Sequence, residues 1–171
     1  MIKQIQIVSD KNEPTTGGTM QEAWAKGLYH QIVRIILMDD ADNIILQKRS
    51  SSMEVYPDKW TDSASGHVDY NESPDVAAHR ELKEELGVVA DLEYVDTFLT
   101  RLQIGDKTIN TFNLVYKGQL NPSANIVIDT KEVSDFKRIK LSNLQTDIKA
   151  HEDAYTKYLI EIINRYAGIL L

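Results

Sequence analysis

The chain has 171 residues, 42% hydrophobic and 26% charged, a size and composition that fit one folded domain and exclude disordered or fibrous architectures. Nineteen Lys and Arg stand against 26 Asp and Glu, and the net charge of −7 argues against general affinity for a nucleic-acid polymer or an anionic membrane. There is no cysteine, hence no disulfide, thiolate metal site or thiol nucleophile, and no apolar run approaches the ~20 residues needed to span a bilayer nor does the N-terminus read as a signal, so a cytoplasmic protein is expected.

As a single domain over residues 1–171, the sequence opens with an N-terminal extension, 1–27, expected to pack on the main body. Ile5, Ile7 and Val8 predict a short strand, and the polar stretch Asp10 to Gly18 a long excursion. Ile32 to Met38 and Asn43 to Gln47 predict a hairpin around the acidic turn Asp39 to Asp42. A loop opens at Ser50 and ends at Pro57 and Trp60, and Ser63 to Val68 reads as the next strand. Ser73 is placed to cap a helix that starts at Pro74, where a missing N–H costs nothing, and stops at Gly87. Leu92 to Leu102 and Thr108 to Tyr116 predict two strands around Gly105 and Asp106, and a third runs through Phe136 to Ile139. In the tail, expected as one helix over 150–171, Tyr155, Tyr158, Leu159, Ile162, Ile163 and Tyr166 recur at spacings of three and four, the pattern of a core-packing face.

The acid surplus is concentrated. Gly66 to Val88 holds six acids and two bases and so carries −4 of the −7. Steps of about 100° along a helix put Glu81, Glu84 and Glu85 in one wedge, with Leu82 and Leu86 beside them to dock the helix on the core. Like charges at that spacing repel unless a cation bridges them, and an all-oxygen set suits Mg²⁺, or Mn²⁺, rather than zinc. Such ions act on phosphates by clamping their oxygens and acidifying water.

The spacing extends further. Gly66, five residues, Glu72, seven residues and then the run Arg80-Glu81-Leu82-Lys83-Glu84-Glu85-Leu86-Gly87-Val88 fill all nine fixed positions of the signature box of the Nudix hydrolases, which the sequence therefore resembles. The resemblance implies an α/β fold, an α/β/α sandwich with a mixed central sheet, and Mg-dependent hydrolysis of a small-molecule diphosphate, such as a nucleoside diphosphate, linked to a variable moiety. It makes Glu84, Glu85 and the Gly66 carbonyl metal ligands, and Glu81 a ligand or the general base. Glu72 and Arg80 would hold loop and helix in register, and Glu132 is an alternative base. Arg49 is the candidate grip on the substrate phosphates, with Lys48 beside it, and His67 the candidate contact next to the metal-binding glycine. Trp60 and Phe112 are candidates for stacking on a base, while Trp24 is uninformative.

Gly27-Leu28-Tyr29-His30, Leu46 to Ser50, Pro57-Asp58-Lys59-Trp60 and Ser65-Gly66-His67-Val68 resemble the superfamily branch related to isopentenyl-diphosphate isomerase. That branch implies a cysteine proton carrier just before the box and acidic metal ligands in a downstream strand. Here those stretches read Thr61 to Ser65 and Ile109 to Asn113, without cysteine or acid, so hydrolysis is favoured over isomerisation. A non-catalytic module that senses a nucleotide is the third reading. The sequence leaves the substrate and the oligomeric state open, a homodimer included.

Overall fold

A computed structural model describes residues 2–170. Strands β1 (Ile5–Val8), β2 (Pro14–Gly18), β3 (Tyr29–Met38), β4 (Asn43–Arg49), β5 (Trp60–Thr61), β6 (Ala64–His67), β7 (Leu92–Ile104), β8 (Lys107–Gln119) and β9 (Val133–Lys140) form one mixed sheet. Strand β3 is its hub: β8 lies parallel to it along its whole length, and β1, β4 and β6 pair with it antiparallel. β7 extends the sheet beyond β8, and β5 and β9 both pair with β4. Four helices complete the fold: α1 (Met20–Lys26), α2 (Pro74–Leu86), α3 (Leu141–Ala150) and α4 (Lys157–Leu170).

Period-two alternation builds the layers. Val33, Ile35, Leu37 and Ile45 point to one face and pack with Ala77, Ala78, Leu82 and Leu86 of α2. Their neighbours Ile36, Met38, Ile44 and Leu46 point to the other face and pack with Leu144 of α3 and Leu159, Ile162 and Ile163 of α4. The predicted helix–sheet–helix sandwich with a mixed sheet is what the chain forms, and the tyrosine and leucine stripe of the tail lies in the core.

The termini differ from expectation. The polar excursion after β1 returns as β2 and then enters α1, whose Thr19–Glu22 capping box satisfies its first N–H groups. The extension is also woven into the sheet, since Gln6 N donates to the Val68 carbonyl at 2.8 Å and Ile7 pairs with His30. The helix expected over 150–171 is present as α4 but starts only at Lys157; a helix that was not expected, α3, precedes it and buries one face through Leu141, Leu144 and Ile148, and a 3₁₀ turn (Glu152–Ala154) separates the two. That break lets Thr156 N reach the Trp60 carbonyl at 2.9 Å and sets α4 across the end of β5.

Candidate active site

Helix α2 begins and ends as its sequence dictates. The Ser73 hydroxyl accepts from Val76 N, Pro74 occupies the first turn, and Gly87 ends the helix at φ +67°, with its N–H on the Lys83 carbonyl. A Cβ at Gly87 would lie 3.0 Å from the Val127 carbonyl oxygen, so only glycine suits both the conformation and the contact. Leu82 and Leu86, fully buried, fix the roll of the helix, each contributing roughly 1.5–3 kcal/mol by burial. That roll aims Glu81 and Glu85 at β6 and leaves Glu84 exposed at the edge.

Gly66 and Glu81 meet closely: the Glu81 carboxylate occupies the space a Cβ on Gly66 would fill. Beneath it Glu85 is sealed in, its Oε2 accepting from Gln47 Nε2 at 2.8 Å and Ser65 N at 3.0 Å. Burial, reinforced by the neighbouring Glu81 charge, pushes the Glu85 carboxyl well above its ordinary range. Burial also raises Glu81, against the pull of Arg80.

Arg80 divides its guanidinium between two tasks. Nε and Nη2 donate to the two Glu72 oxygens, both at 2.8 Å, and Nη2 also donates to the His67 carbonyl at 3.0 Å. Glu72 in turn accepts from Asp69 N at 3.0 Å, and the Arg80 bonds hold its carboxyl below the usual range. This edge ties the 67–72 loop to the helix. The other edge, Nη1, ion-pairs with Glu81 and lies 3.3 Å from Glu84 Oε2.

Among the described residues no three His, Asp or Glu side chains converge as a ready metal cage, because Arg80 Nη1 stands between Glu81 and Glu84 and Glu85 is turned to Gln47. The donor set nonetheless fits a hard cation. It is all oxygen, and burial holds its enclosed carboxyls above their normal range, a cost that the charge of a divalent ion would offset. The fork of Arg80 can release Nη1 while Nε and Nη2 keep their grip on Glu72.

A cavity of about 550 Å³ opens beside these acids. Gly66, Glu81, Glu84 and Glu132 line its acidic side, and Ser65, His67 and Arg49 adjoin them. Arg49 follows a register shift between β4 and β9, and its Nε donates to the Val55 carbonyl at 2.9 Å. Burial lowers its pKa, which the nearby Glu85 partly offsets. Of the predicted residues, the cavity thus gathers Gly66, Glu81, Glu84, His67, Arg49 and Glu132 on its walls, with Glu85, Arg80 and Glu72 behind.

Lys48 does not belong to this group. Side chains alternate along β4, so with Gln47 turned to Glu85, Lys48 points to the α4 side of the sheet and does not line the cavity. Trp60 and Phe112 are also off the cavity wall: Trp60 packs on the α4 side beneath Lys137, 4.3 Å from its ring centroid, and Phe112 lies 5.9 Å from Tyr29. His67 reaches the cavity but stacks on the fully buried His30, ring centroids 5.2 Å apart. His30 Nδ1–H donates to the Leu28 carbonyl at 3.1 Å, so its partnerless Nε2 is unprotonated, and burial holds its pKa down at about 4.

Among the cavity residues that sequence reasoning did not assign are four with aromatic or charged groups. Trp24 comes from α1, Tyr56 from the 50–59 loop, Arg34 from β3 and Tyr158 from α4. Two signals were available: Arg34 is a lone charge inside the apolar run Ile32 to Met38, and Tyr158 carries a hydroxyl into an otherwise aliphatic stripe. Tyr56 takes φ +53°, a strained value for a bulky residue, and sets its ring edge-on to Tyr158 at 5.7 Å.

The NUDIX domain family matches residues 28–159. Isopentenyl-diphosphate Delta-isomerase 2 of Photorhabdus laumondii is 31% identical over 163 residues, covering 94% of this chain and 91% of that protein. Nudix hydrolase 3 of Arabidopsis thaliana is 30% identical over 146 residues, 80% of this chain and 19% of that one. Among solved structures, DR0079 of Deinococcus radiodurans superposes with a TM-score of 0.78 at 20% identity, covering 95% of this chain and 98% of that one. The NUDIX domain of Shewanella oneidensis NrtR, complexed with ADP ribose, gives 0.65 at 19% identity, covering 84% and 89%. No described helix is long and apolar enough to cross a membrane.

Proposed function

The chain belongs to the Nudix family, and from that premise we propose that it is a pyrophosphohydrolase whose substrate is a small organic diphosphate, a nucleoside diphosphate derivative in the first instance. The observation that carries this reading is the meeting, on one cavity, of the acidic face of α2 with the cation Arg49. Glu81, Glu84, Glu85 and the Gly66 carbonyl would hold a divalent cation, Mg²⁺ by preference for such donors, and a cation there supplies charge neutralisation for the diphosphate and acidity for water. Arg49 binds and orients phosphate oxygens from the opposite side. Arg80 keeps loop and helix in register through Glu72 and the His67 carbonyl. Glu132, exposed on the cavity wall and free of ion pairs among the described residues, is placed to take a proton from attacking water, a role for which Glu81, held by Arg80, is less suited.

The relatives' names favour a second reading, isomerisation of isopentenyl diphosphate. Against it, the chain has no cysteine, Ser65 precedes Gly66, and beside the stacked His30 and His67 strand β8 carries Thr111 and Asn113 where the branch implies acids. The deciding experiment is a screen of organic diphosphates with phosphate detection, with and without Mg²⁺, alongside isopentenyl diphosphate followed for its allylic isomer. Mg²⁺-dependent release of phosphate or nucleotide, lost in Glu84→Gln, is expected. Isomer formation without hydrolysis would replace this reading with the second.

A further inference from the structure

Arg34 is 3% exposed, yet it borders the cavity. A guanidinium in such a place must find partners for five N–H groups, and it finds only some of them. Nε donates to Asn113 Oδ1 at 2.7 Å, and Nη1 to Asp62 Oδ2 at 3.1 Å. Its plane lies on the Tyr158 ring, with Cζ 3.7 Å from the centroid. Asp62 is fully buried and takes the Thr61 hydroxyl as well, while Asn113 is anchored through Nδ2 to the Phe98 carbonyl and Thr100 hydroxyl. The guanidinium is therefore held on three sides. Nη2 has no acceptor among the described residues, and it is not sealed from solvent in the way that the Trp24 and His67 nitrogens are. A donor held rigid, with one end open to a cavity, is built to meet an acceptor that the protein itself does not provide.

Charge decides what kind of acceptor. The positive charge of Arg34 is already balanced by Asp62 at contact distance in a dry site, so its pull on a second anion is small. Arg49 has no ion pair among the described residues and keeps its charge for phosphate. Apolar and aromatic side chains, Ile32, Ile109, Trp24 and Tyr158, share the cavity lining with Arg34, Tyr158 in contact with it. The group that fits is neutral and flat, and presents a carbonyl oxygen.

We propose that Arg34 is a specificity-determining residue: its Nη2 donates to a carbonyl oxygen of the base of a nucleoside diphosphate substrate, so carbonyl-bearing bases are preferred over adenine and over plain hydrocarbon chains. This rests on the pyrophosphohydrolase reading for its catalytic readout, but not for its binding readout. A ligand without the acceptor would strip water from Nη2 and leave it unpaired, which is where discrimination arises.

The test compares inosine diphosphate with adenosine diphosphate, which differ at C6 by a carbonyl against an amino group, together with uridine diphosphate and isopentenyl diphosphate. Both kcat/KM with Mg²⁺ and calorimetric affinity are measured. A hydrogen bond to a charged donor predicts that inosine and uridine diphosphates exceed adenosine diphosphate by about ten- to a hundredfold. In Arg34→Met the ratio falls to within about twofold. Because that change strands Asp62, the double variant Arg34→Met with Asp62→Asn is measured in parallel, with thermal unfolding confirming the fold. Affinity that follows the carbonyl and Arg34 without any turnover would sink the hydrolase reading and leave this inference standing. Equal affinity for inosine and adenosine diphosphates, a preference that survives in both variants, or no binding of any nucleoside diphosphate would overturn it.

Discussion

Glu85 offers the sharpest separation of stability from function. Its carboxyl is completely enclosed, receives donors from Gln47 and Ser65, and is pushed well above its ordinary pKa by burial and by Glu81. In Glu85→Gln the new amide keeps the volume and still accepts from Ser65 N. With its oxygen in the place of Oε2 it also still accepts from Gln47 Nε2, since both donors converge on that one atom. Relief from burying a carboxylate gives a gain of about 2 kcal/mol at alkaline pH. For a chain of this length that raises Tm by about 4–8 °C. Because the folded-state pKa lies above the ordinary value of a glutamate, the folded protein holds the proton more tightly than the unfolded chain. The carboxyl costs nothing below that value, and the wild type loses stability as pH rises through the folded pKa. The Tm gap between variant and wild type, measured in EDTA, should therefore widen from pH 5 to pH 8. Mg²⁺-dependent turnover should meanwhile fall by about a hundredfold or more, since a ligand charge is gone. A variant that unfolds below the wild type at pH 8 in EDTA, or that keeps its turnover, would refute the reasoning.

The buried His30, held at about 4, binds fewer protons folded than unfolded, so stability present at neutral pH is lost as pH falls from 6.5 toward 4. The loss from this group is about 3 kcal/mol, visible as a falling urea midpoint that flattens in His30→Gln; an unchanged slope in the variant would place the acid sensitivity elsewhere. Arg49→Ala should raise KM for a diphosphate substrate about tenfold or more, whereas Lys48→Ala, on the opposite face of the sheet, should stay within about twofold; the reverse ranking would show the orientation of β4 to be misread. Arg80→Lys keeps the charge but cannot reproduce the fork on Glu72 and the His67 carbonyl, so turnover should drop about ten- to a hundredfold while circular dichroism stays unchanged. Wild-type turnover in that variant would mean that the positions of the acids do not depend on the clamp.

Much of the proposed catalytic unit is local, and local structure is legible. Ser73, Pro74 and Gly87 set the ends of α2 by capping and by left-handed conformation, and a pitch of 3.6 residues then puts the acids on one side and Leu82 and Leu86 on another. The spacing back to Glu72 and Gly66 belongs to the same short segment, so the tie through Arg80 closes over eight residues. The strands of the body were likewise marked by β-branched and aromatic runs. Helix α3 is harder to read because only three apolar residues, Leu141, Leu144 and Ile148, mark its buried face within a polar stretch that has no side-chain cap at its start.

What sequence alone determined, then, is the carboxylate helix, its glycine partner and the family, because each depends on contacts between residues close along the chain. Tertiary structure decided the rest of the cavity. Which of Lys48 and Arg49 reaches it turns on strand parity and a register shift; the enclosure of Glu85 turns on Gln47, 38 residues away. Arg34, Asp62, Asn113 and Tyr158 come together only when β3, β8 and α4 have packed, from positions separated by as much as 79 residues within a single hydrogen bond. Such groupings leave no spacing pattern to read, since their geometry is set by how layers stack and not by the pitch of any one element.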